Sequence, residues 1–185
     1  MRIPQLTWPA LAPVVSDAVF DPSGHYRYWL RRIWDSHRPV LNFIMLNPST
    51  ADETQDDPTV ARCRRYAERW GFGTLIVTNI FAYRSTDPRG LMQVPDPIGS
   101  DNDQYLLQGA AQADRRIVAW GTHGQYHNRE MSVLTLLTAY PVMALGITQG
   151  GSPRHPLYLR ADAQPQAFTI SLNIAPPDTQ GGSGS

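Results

Sequence analysis

Four nearly apolar runs alternate with amphipathic stretches, and this alternation restricts the possible fold more than any other feature of the chain. Strands that are apolar along their whole length are typically buried on both faces, and alternation with helical patterns is typical of a parallel sheet. A turn cluster at residues 21–24, between branched and aromatic runs, predicts a β-hairpin ahead of them. We therefore predict an α/β fold: a single-domain three-layer sandwich with a central four-stranded, mostly parallel sheet and an N-terminal β-hairpin. The expected strands are residues 40–46, 74–80, 117–120 and 142–147, and the hairpin is expected at residues 14–34.

Three helices are expected between these strands. The first is the best marked, because Asp57 suits the N-cap, Pro58 the first helical position and Gly71 the exit. The lone cysteine, Cys63, falls on its inner face, which favours a small buried hydrophobe over a nucleophile. A second helix should start near residue 100 or 101 and end near 113, and a third should cover about residues 128–140.

The length and composition fit one domain. A chain of 185 residues has room for a single sizeable core, which we place in residues 1–174. Residues 175–185 are rich in Pro, Gly and Ser, and the closing GGSGS has the composition of an appended linker, so we expect a flexible tail. No apolar run approaches the roughly 18 residues of a membrane helix, and the first residues lack a signal-peptide pattern. We therefore expect no membrane attachment and a cytoplasmic location.

The charge pattern excludes several chemistries. All sixteen basic residues are Arg, and sixteen acidic residues bring the net charge to zero. Without Lys, a Schiff-base lysine and the lysine-bearing phosphate loop are both excluded. Strong nonspecific binding of nucleic acid usually shows as a basic domain, so any such binding here must rely on local Arg clusters.

Polar clusters follow each of the four predicted strands. Since the carboxyl ends of parallel strands meet at one edge, their amides, hydroxyls, aromatics, Arg and His should converge on one rim. Asn47 or Asn79 taken alone could simply cap a loop, but four such strand ends together favour a site. The clusters are Leu46-Asn47-Pro48-Ser49-Thr50, residues 78–88, Trp120-Gly121-Thr122-His123-Gly124 and residues 150–158.

An ordered set of short motifs resembles a bacterial and phage domain family of unknown function. The motifs are MLNPSTA, DDPT, NIFAYRSTDP, DNDQYL, AWGTHG and GSPRHPLYL, and together they cover nearly all of residues 17–160. This resemblance is specific in its motifs, but it implies no particular activity.

The order of parts is also similar, more distantly, to the uracil-DNA glycosylase superfamily, especially its mismatch-specific branch. There a first strand ends in Ile-Asn-Pro-Gly, a third strand ends in Leu-Gly, and a late loop carries Asn-Pro-Ser or His-Pro-Ser. The resemblance implies a uracil-DNA glycosylase-like fold, with DNA as the partner and a flipped pyrimidine nucleotide as the substrate. The matching stretches here are Leu46-Asn47-Pro48, Trp120-Gly121 and His155-Pro156.

Hydrolysis of an N-glycosidic bond suggests roles for two of these residues. The reaction passes through an oxocarbenium-like sugar and expels a base that carries negative charge, so a water must be positioned and an anion stabilised. Asn47, held by the following proline, could orient the water through its amide oxygen. His155 could donate a hydrogen bond to the departing base, or could instead be a structural histidine that bonds the Gly-rich loop. Neither task needs a metal or an organic cofactor, and we expect none.

Further residues are expected to bind the base and the DNA backbone. Phe81 or Tyr83 could stack on a flipped base, although core packing would explain both aromatics equally, and Asn79 could read the hydrogen-bonding edge of the base. Arg side chains and the start of the first helix suit phosphates. The other candidates are Ser49 for the base, and Arg84, Arg154, Arg62, Thr50 and Ser152 for phosphates or DNA.

One departure from the superfamily points to a substrate. Uracil-specific members place an aromatic residue in the first loop to exclude bases substituted at C5, whereas residues 48–51 here carry nothing bulky. We therefore expect a pocket open to large 5-substituted pyrimidines, such as the 5-hydroxymethylated or glucosylated bases of phage DNA, and a role in antiviral defence. Abasic sites should accumulate without strand cleavage, because no Lys is present.

Two other functional classes remain open from the sequence. A hydrolase or transferase acting on free nucleosides or nucleotides would use the same rim and suits the zero net charge better. A non-enzymatic module that binds nucleic acid or a nucleotide would need no catalytic group. No obligate protein partner is evident in the sequence.

Overall fold

A computed structural model describes residues 15–169 of the chain. Over these residues the backbone forms one sheet of seven strands with helices packed on it. The strands are β1 (Val15–Phe20), β2 (Arg27–Ile33), β3 (Val40–Met45), β4 (Thr74–Asn79), β5 (Arg115–Ala119), β6 (Met143–Ala144) and β7 (Gln166–Ala167). The helices are α1 (Pro58–Arg69), α2 (Asn102–Gln112) and α3 (Arg129–Leu136), with short 3₁₀ turns at Pro88–Gln93, Thr122–Asn128 and Pro156–Tyr158.

The sheet is mixed, in the order β1-β2-β4-β3-β5-β6-β7. Strand β3 pairs in parallel with β4 on one side and β5 on the other, and β5 pairs in parallel with β6. The pairs β1–β2, β2–β4 and β6–β7 are antiparallel. The prediction of an α/β fold is confirmed. The sheet is larger than the four strands expected, because the N-terminal hairpin docks its second strand on β4, with Leu30 opposite Val77, and because β7 pairs with β6 at the other edge.

Alternate residues of β3 supply two apolar cores, one on each face of the sheet. Phe43 and Met45 pack in a cluster with Cys63 of α1, while Ile44 packs in a second cluster with Leu106 of α2. This alternation follows from the period of two in a strand, which points successive side chains to opposite faces. Helix packing on both faces explains why the central strands are apolar along their whole length.

Helix α1 begins and ends where its sequence signals predict. Asp57 is the N-cap, and its Oδ1 accepts the Val60 N–H at 2.8 Å. Pro58 occupies the first turn, where its missing N–H costs nothing. The helix gives way after Arg69 to Gly71, which has a φ of +82° and so adopts a conformation that most L-residues avoid. Cys63 is fully buried, in agreement with its interpretation as a small core residue.

Helix α2 approaches the sheet closely over a buried polar pair. Asn42 on β3 is fully buried, and its Nδ2 donates to Thr78 Oγ1 at 3.2 Å and to the Ile76 carbonyl at 3.3 Å. Gly109 of α2 lies over this pair, and a Cβ placed on it would come within 2.9 Å of the Thr78 methyl carbon. The glycine therefore sets the distance between helix and sheet at the cost of some helix propensity.

The third helix and the last parallel strand are shorter than expected. Helix α3 ends at Leu136, since the Tyr140 N–H turns back to the Leu137 carbonyl. Strand β6 contains only two residues, because the Gly146 carbonyl accepts the Arg154 N–H and so draws the chain into a loop. Within residues 15–169, no helix is both long and apolar enough to cross a membrane. Residues 170–185, which include the predicted tail, and residues 1–14 lie outside the described part, so the domain boundary stays a prediction.

The close approach of α2 predicts that Gly109→Ala destabilises the protein. Alanine favours helix by about 1 kcal/mol, but the contact with Thr78 forces strand or helix to shift, which typically costs about 1 to 3 kcal/mol. We expect a net loss of stability in urea unfolding. Thr78→Ser removes the methyl group and keeps the hydroxyl that Asn42 donates to, so the double variant should recover part of the loss. Strict additivity of the two substitutions would contradict this packing account.

Candidate functional site

A cavity of about 600 Å³ opens at the carboxyl ends of β3 and β5. Its wall is completed by the first turn of α1, the loop after β4 and the segment at residues 148–159. The expected rim therefore exists, and four of the predicted site residues line it. These are Asn47, Ser49, Arg154 and His155.

The side-chain amide of Asn47 is fixed in one orientation. Its Nδ2 donates to the Ser85 carbonyl at 2.8 Å and to the Pro48 carbonyl at 3.0 Å. Both partners are acceptors, so the amide nitrogen must face them, and this assignment leaves Oδ1 on the other side. Within residues 15–169, Oδ1 has no hydrogen-bond partner and remains an acceptor for a water or a ligand.

His155 begins the 3₁₀ turn Pro156–Tyr158, and its ring is held at one nitrogen. Nδ1 accepts the Leu157 N–H at 3.4 Å, so the neutral ring carries its proton on Nε2. Burial lowers the pKa of His155 below its usual 6.5, and the nearby Asp57 carboxylate acts in the opposite direction. The ring is therefore neutral at pH 7 and can donate through Nε2–H.

A buried polar network ties the loops after β5 and β6 together. Glu130 Oε2 accepts the Trp120 indole N–H and the Ser152 hydroxyl, each at 3.0 Å. The Gly121 N–H donates to the Pro153 carbonyl at 2.7 Å. Ser152 is 1% exposed and does not line the cavity, so its position is structural rather than suited to DNA phosphate. The network holds the residues on either side of the cavity in fixed positions.

The floor of the cavity carries two buried charges that sequence reasoning did not place there. Arg27 at the start of β2 and Asp57 at the start of α1 both line the cavity, and they are only 2% and 8% exposed. Burial lowers the pKa of Arg27 to about 10, so it stays charged at neutral pH. Asp57 was predicted as a helix cap. No local signal marks Arg27, because an arginine in a strand is by default expected to be exposed.

The expected base-binding residues other than Ser49 lie below or beside the cavity. Asn79 is 1% exposed, and its Oδ1 accepts from Arg27 Nη2 at 3.3 Å. Phe81 is fully buried, with its ring 6.0 Å from that of Tyr126. Tyr83 packs edge to face against Tyr26. None of the three lines the cavity, since the chain after β4 turns into the core before it reaches the rim.

The remaining candidates for phosphate contacts lie away from the cavity. Arg84 donates to the Gly24 carbonyl at 3.0 Å and lies over the Phe20 ring, so it braces the hairpin turn. Arg62 donates to the Leu159 carbonyl and so ties α1 to the last loop. Thr50 is exposed but does not line the cavity. The α1 N-terminus is also unsuited to phosphate, because the Asp57 carboxylate already caps it.

Two exposed apolar residues stand at the lip of the cavity. Leu157 is 38% exposed and Tyr158 is 84% exposed, and both line the opening. The Tyr158 ring centroid lies 5.9 Å from that of His155. The sequence pattern Pro156-Leu157-Tyr158 directly after His155 was a signal for them, since a large aromatic beside a predicted catalytic residue is a candidate for ligand contact.

A comparison with protein-family models places residues 27–157 in one family, described as a protein of unknown function (DUF1643). This fits the domain family of unknown function expected from the motifs. No curated protein and no solved structure matches the chain.

His155 gives the site a predicted dependence on pH. A histidine whose folded pKa lies below 6.5 contributes stability that is present above that value and is lost as the pH falls through the folded pKa. His155→Asn keeps an acceptor for the Leu157 N–H but does not titrate. We expect the stability advantage of the wild type over this variant to shrink between about pH 8 and pH 5, measured by urea unfolding. A constant difference would contradict the protonation account.

Proposed function

The chain belongs to the DUF1643 family of proteins of unknown function, and from its cavity we propose that it is a monofunctional DNA glycosylase. It would hydrolyse the N-glycosidic bond of a pyrimidine flipped out of DNA, and it would act in the cytoplasm. One observation carries this proposal. The Asn47 amide is held by two carbonyls with its oxygen free, in the same cavity as the neutral ring of His155.

The proposed reaction uses these two residues in opposite roles. A water whose hydrogen is accepted by Asn47 Oδ1 attacks the sugar carbon as the bond from that carbon to the base breaks. The bonding electron pair leaves with the base, where His155 Nε2–H donates to the developing negative charge. An amide is a poor base, so the water adds late, when the sugar already has oxocarbenium character. Its proton then leaves to solvent or to the departing base.

The surroundings support this assignment over a purely structural interpretation. Asn47 is held only through its amide nitrogen, and its Oδ1 has no partner within residues 15–169 and so can accept from a water in the cavity that Asn47 lines. The cavity lies at the carboxyl ends of parallel strands, where ligand sites of α/β sheets usually form. This position agrees with the distant resemblance to the uracil-DNA glycosylase superfamily. We therefore also propose that the fold is a glycosylase-like sandwich built on the parallel strands.

The lip of the cavity offers contacts for DNA despite the zero net charge. Tyr158 presents an exposed ring on which a neighbouring base could stack, and such stacking does not depend on sequence. Arg154 is exposed at the same opening, where its guanidinium could contact a phosphate. A phosphate contact of this kind releases counterions, so the affinity for DNA should fall as the salt concentration rises.

The volume of the cavity favours a substituted base. About 600 Å³ lies within the range that accommodates drug-sized ligands and exceeds what an unmodified pyrimidine ring fills. From residues 48–51 only Ser49 lines the wall, and it is small. We therefore propose a pyrimidine with a large group at C5, such as a hydroxymethylated or glucosylated base of phage DNA, and a role in antiviral defence.

A second candidate function is hydrolysis or group transfer on free nucleosides or nucleotides. The observation that favours it is the net charge of zero together with a cavity of about 600 Å³ lined by two buried charged residues, Arg27 and Asp57. A binding module without catalysis would use the same cavity. If the protein binds DNA with an affinity that falls as salt is added, a DNA enzyme is favoured over a small-molecule enzyme. If base is released from DNA or from a nucleoside, an enzyme is favoured over a binding module.

Asn47→Ala should lower the rate of base release by about a hundredfold or more, because the attacking water loses its orienting acceptor. The rate is measured as free base by mass spectrometry under single-turnover conditions. DNA affinity and thermal stability are measured alongside, since the variant also loses two hydrogen bonds. Gln55→Ala is the matched control, because it removes an exposed amide from the same loop outside the cavity. An unchanged rate in the Asn47 variant, or an equal loss in the control, would contradict the assignment.

The product of the reaction should be an intact abasic strand. A glycosylase that also cleaves the strand forms a Schiff base through an amine, and this chain has no Lys to supply one. Borohydride should therefore trap no protein–DNA adduct, while alkali should cleave the product strand. Efficient trapping in neutral buffer would contradict a monofunctional enzyme.

A further inference from the structure

We infer that Arg27 and Asp57 form a specificity-determining pair that reads the edge of a nucleobase, with Arg27 donating to an acceptor of the ring and Asp57 accepting from a ring N–H. This inference rests on the proposed function and names the part of the substrate that lies at the floor of the cavity. The pair replaces Asn79, which the sequence favoured for this role.

Arg27 is buried with part of its hydrogen-bonding capacity unused. Nη1 donates to the Ala51 carbonyl at 2.8 Å, and Nη2 donates to Asn79 Oδ1 at 3.3 Å. Nε is fully buried and has no partner within residues 15–169. Because Nε has no accessible surface, a ligand would instead reach the terminal nitrogens. Nη1 and Nη2 each carry a second N–H beyond the one bond described, and Arg27 lines the cavity, so an acceptor on a bound ligand can take one of them.

Asp57 places the opposite charge at the same floor without touching Arg27. One carboxylate oxygen caps α1, and the other has no hydrogen-bond partner within residues 15–169. The two charges attract each other, and this attraction partly opposes the effect of burial on Arg27. No ion pair within 4.0 Å joins them in that part of the chain. A ligand that bridges the gap must therefore present an acceptor to Arg27 and a donor to Asp57.

These requirements favour a neutral ring edge over a phosphate. A phosphate would gain from Arg27 but would meet the Asp57 carboxylate, which already caps α1 at the Val60 N–H. The edge of a uracil-type pyrimidine presents carbonyl oxygens beside its N3–H, which satisfies both residues at once, whereas the N3 of cytosine carries no hydrogen. The substrate class is therefore a base inserted edge first, with its phosphates left outside the cavity near Arg154.

The inference is tested by ligand binding followed by NMR, with three probes at millimolar concentration. We expect 2′-deoxyuridine to bind, N3-methyl-2′-deoxyuridine to bind at least about tenfold more weakly because it lacks the N–H, and inorganic phosphate not to compete. Asp57→Asn preserves an N-cap acceptor, since Asn caps as well as Asp, but it turns the second oxygen into a donor. This variant should lose about tenfold or more in affinity for deoxyuridine and lose the discrimination against the N3-methyl compound.

Asp56→Asn is the matched control. It makes the same chemical change at the adjacent residue, whose carboxylate pairs with Arg32 at 2.8 Å and does not line the cavity. It should leave the ratio of affinities for the two nucleosides unchanged. The inference is overturned if phosphate competes, if the two nucleosides bind equally, if Asp57→Asn binds like the wild type, or if deoxyuridine does not bind.

Failure of the proposed function gives a different result. If the wild type binds the nucleosides in the expected pattern but releases no base from DNA, the glycosylase proposal fails and the inference about Arg27 and Asp57 stands. If base is released from DNA but Asp57→Asn retains the wild-type preference among bases, the inference about Arg27 and Asp57 fails and the glycosylase proposal stands.

Discussion

The structure depends on the parallel pairing of β3 with neighbours on both sides. Strand β3 lies between β4 and β5, so its backbone groups are satisfied along both edges, and its side chains enter the cores on both faces of the sheet. Where this pairing stops, the chain must turn away from the sheet with its polar groups unmatched. Asn47 stands at this point, and its amide donates to the Ser85 carbonyl and to the Pro48 carbonyl, which also accepts the Ser85 N–H. The same constraint thus ends the strand and orients the side chain that we place in catalysis.

The rim of the cavity is held by hydrogen bonds, whereas its floor contains buried hydrogen-bond donors without partners in the described chain. At the rim, the hydrogen bonds of Glu130 and the bond from the Gly121 N–H to the Pro153 carbonyl fix the relative positions of the loops after β5 and β6. At the floor, Arg27 keeps a buried N–H without a partner in the described chain, and Asn79 likewise keeps its side-chain nitrogen unpaired. Buried donors without partners are uncommon in native proteins and are costly to maintain. Buried donors on Arg62 and Trp70 also lack a partner within the described residues, so what distinguishes Arg27 is that it lines the cavity, where a ligand can supply further hydrogen bonds.

Sequence reasoning succeeded where the signals were local. The Asp57-Pro58 start of α1, the hairpin and the central strands all follow from patterns within a few residues. Arg27 could not be placed in this way, because its partners Ala51 and Asn79 lie 24 and 52 residues further along the chain. Asn79 and Phe81 were correctly placed at the end of a strand, but packing against α2 and α3 draws that end into the core. The short β6 likewise depends on the bond between Gly146 and Arg154, which no strand pattern encodes.

The central claim is that the cavity hydrolyses the bond between a pyrimidine and its deoxyribose in DNA. Its most direct test is mass spectrometry of the small molecules released when the wild-type protein meets a panel of DNAs. The panel contains uracil, mismatched pyrimidines, and 5-hydroxymethylated and glucosylated pyrimidines. The account predicts release of a free base, greatest for a base with a large group at C5, and an unbroken abasic strand. Release from no DNA in the panel, with free nucleosides hydrolysed under the same conditions, would contradict it.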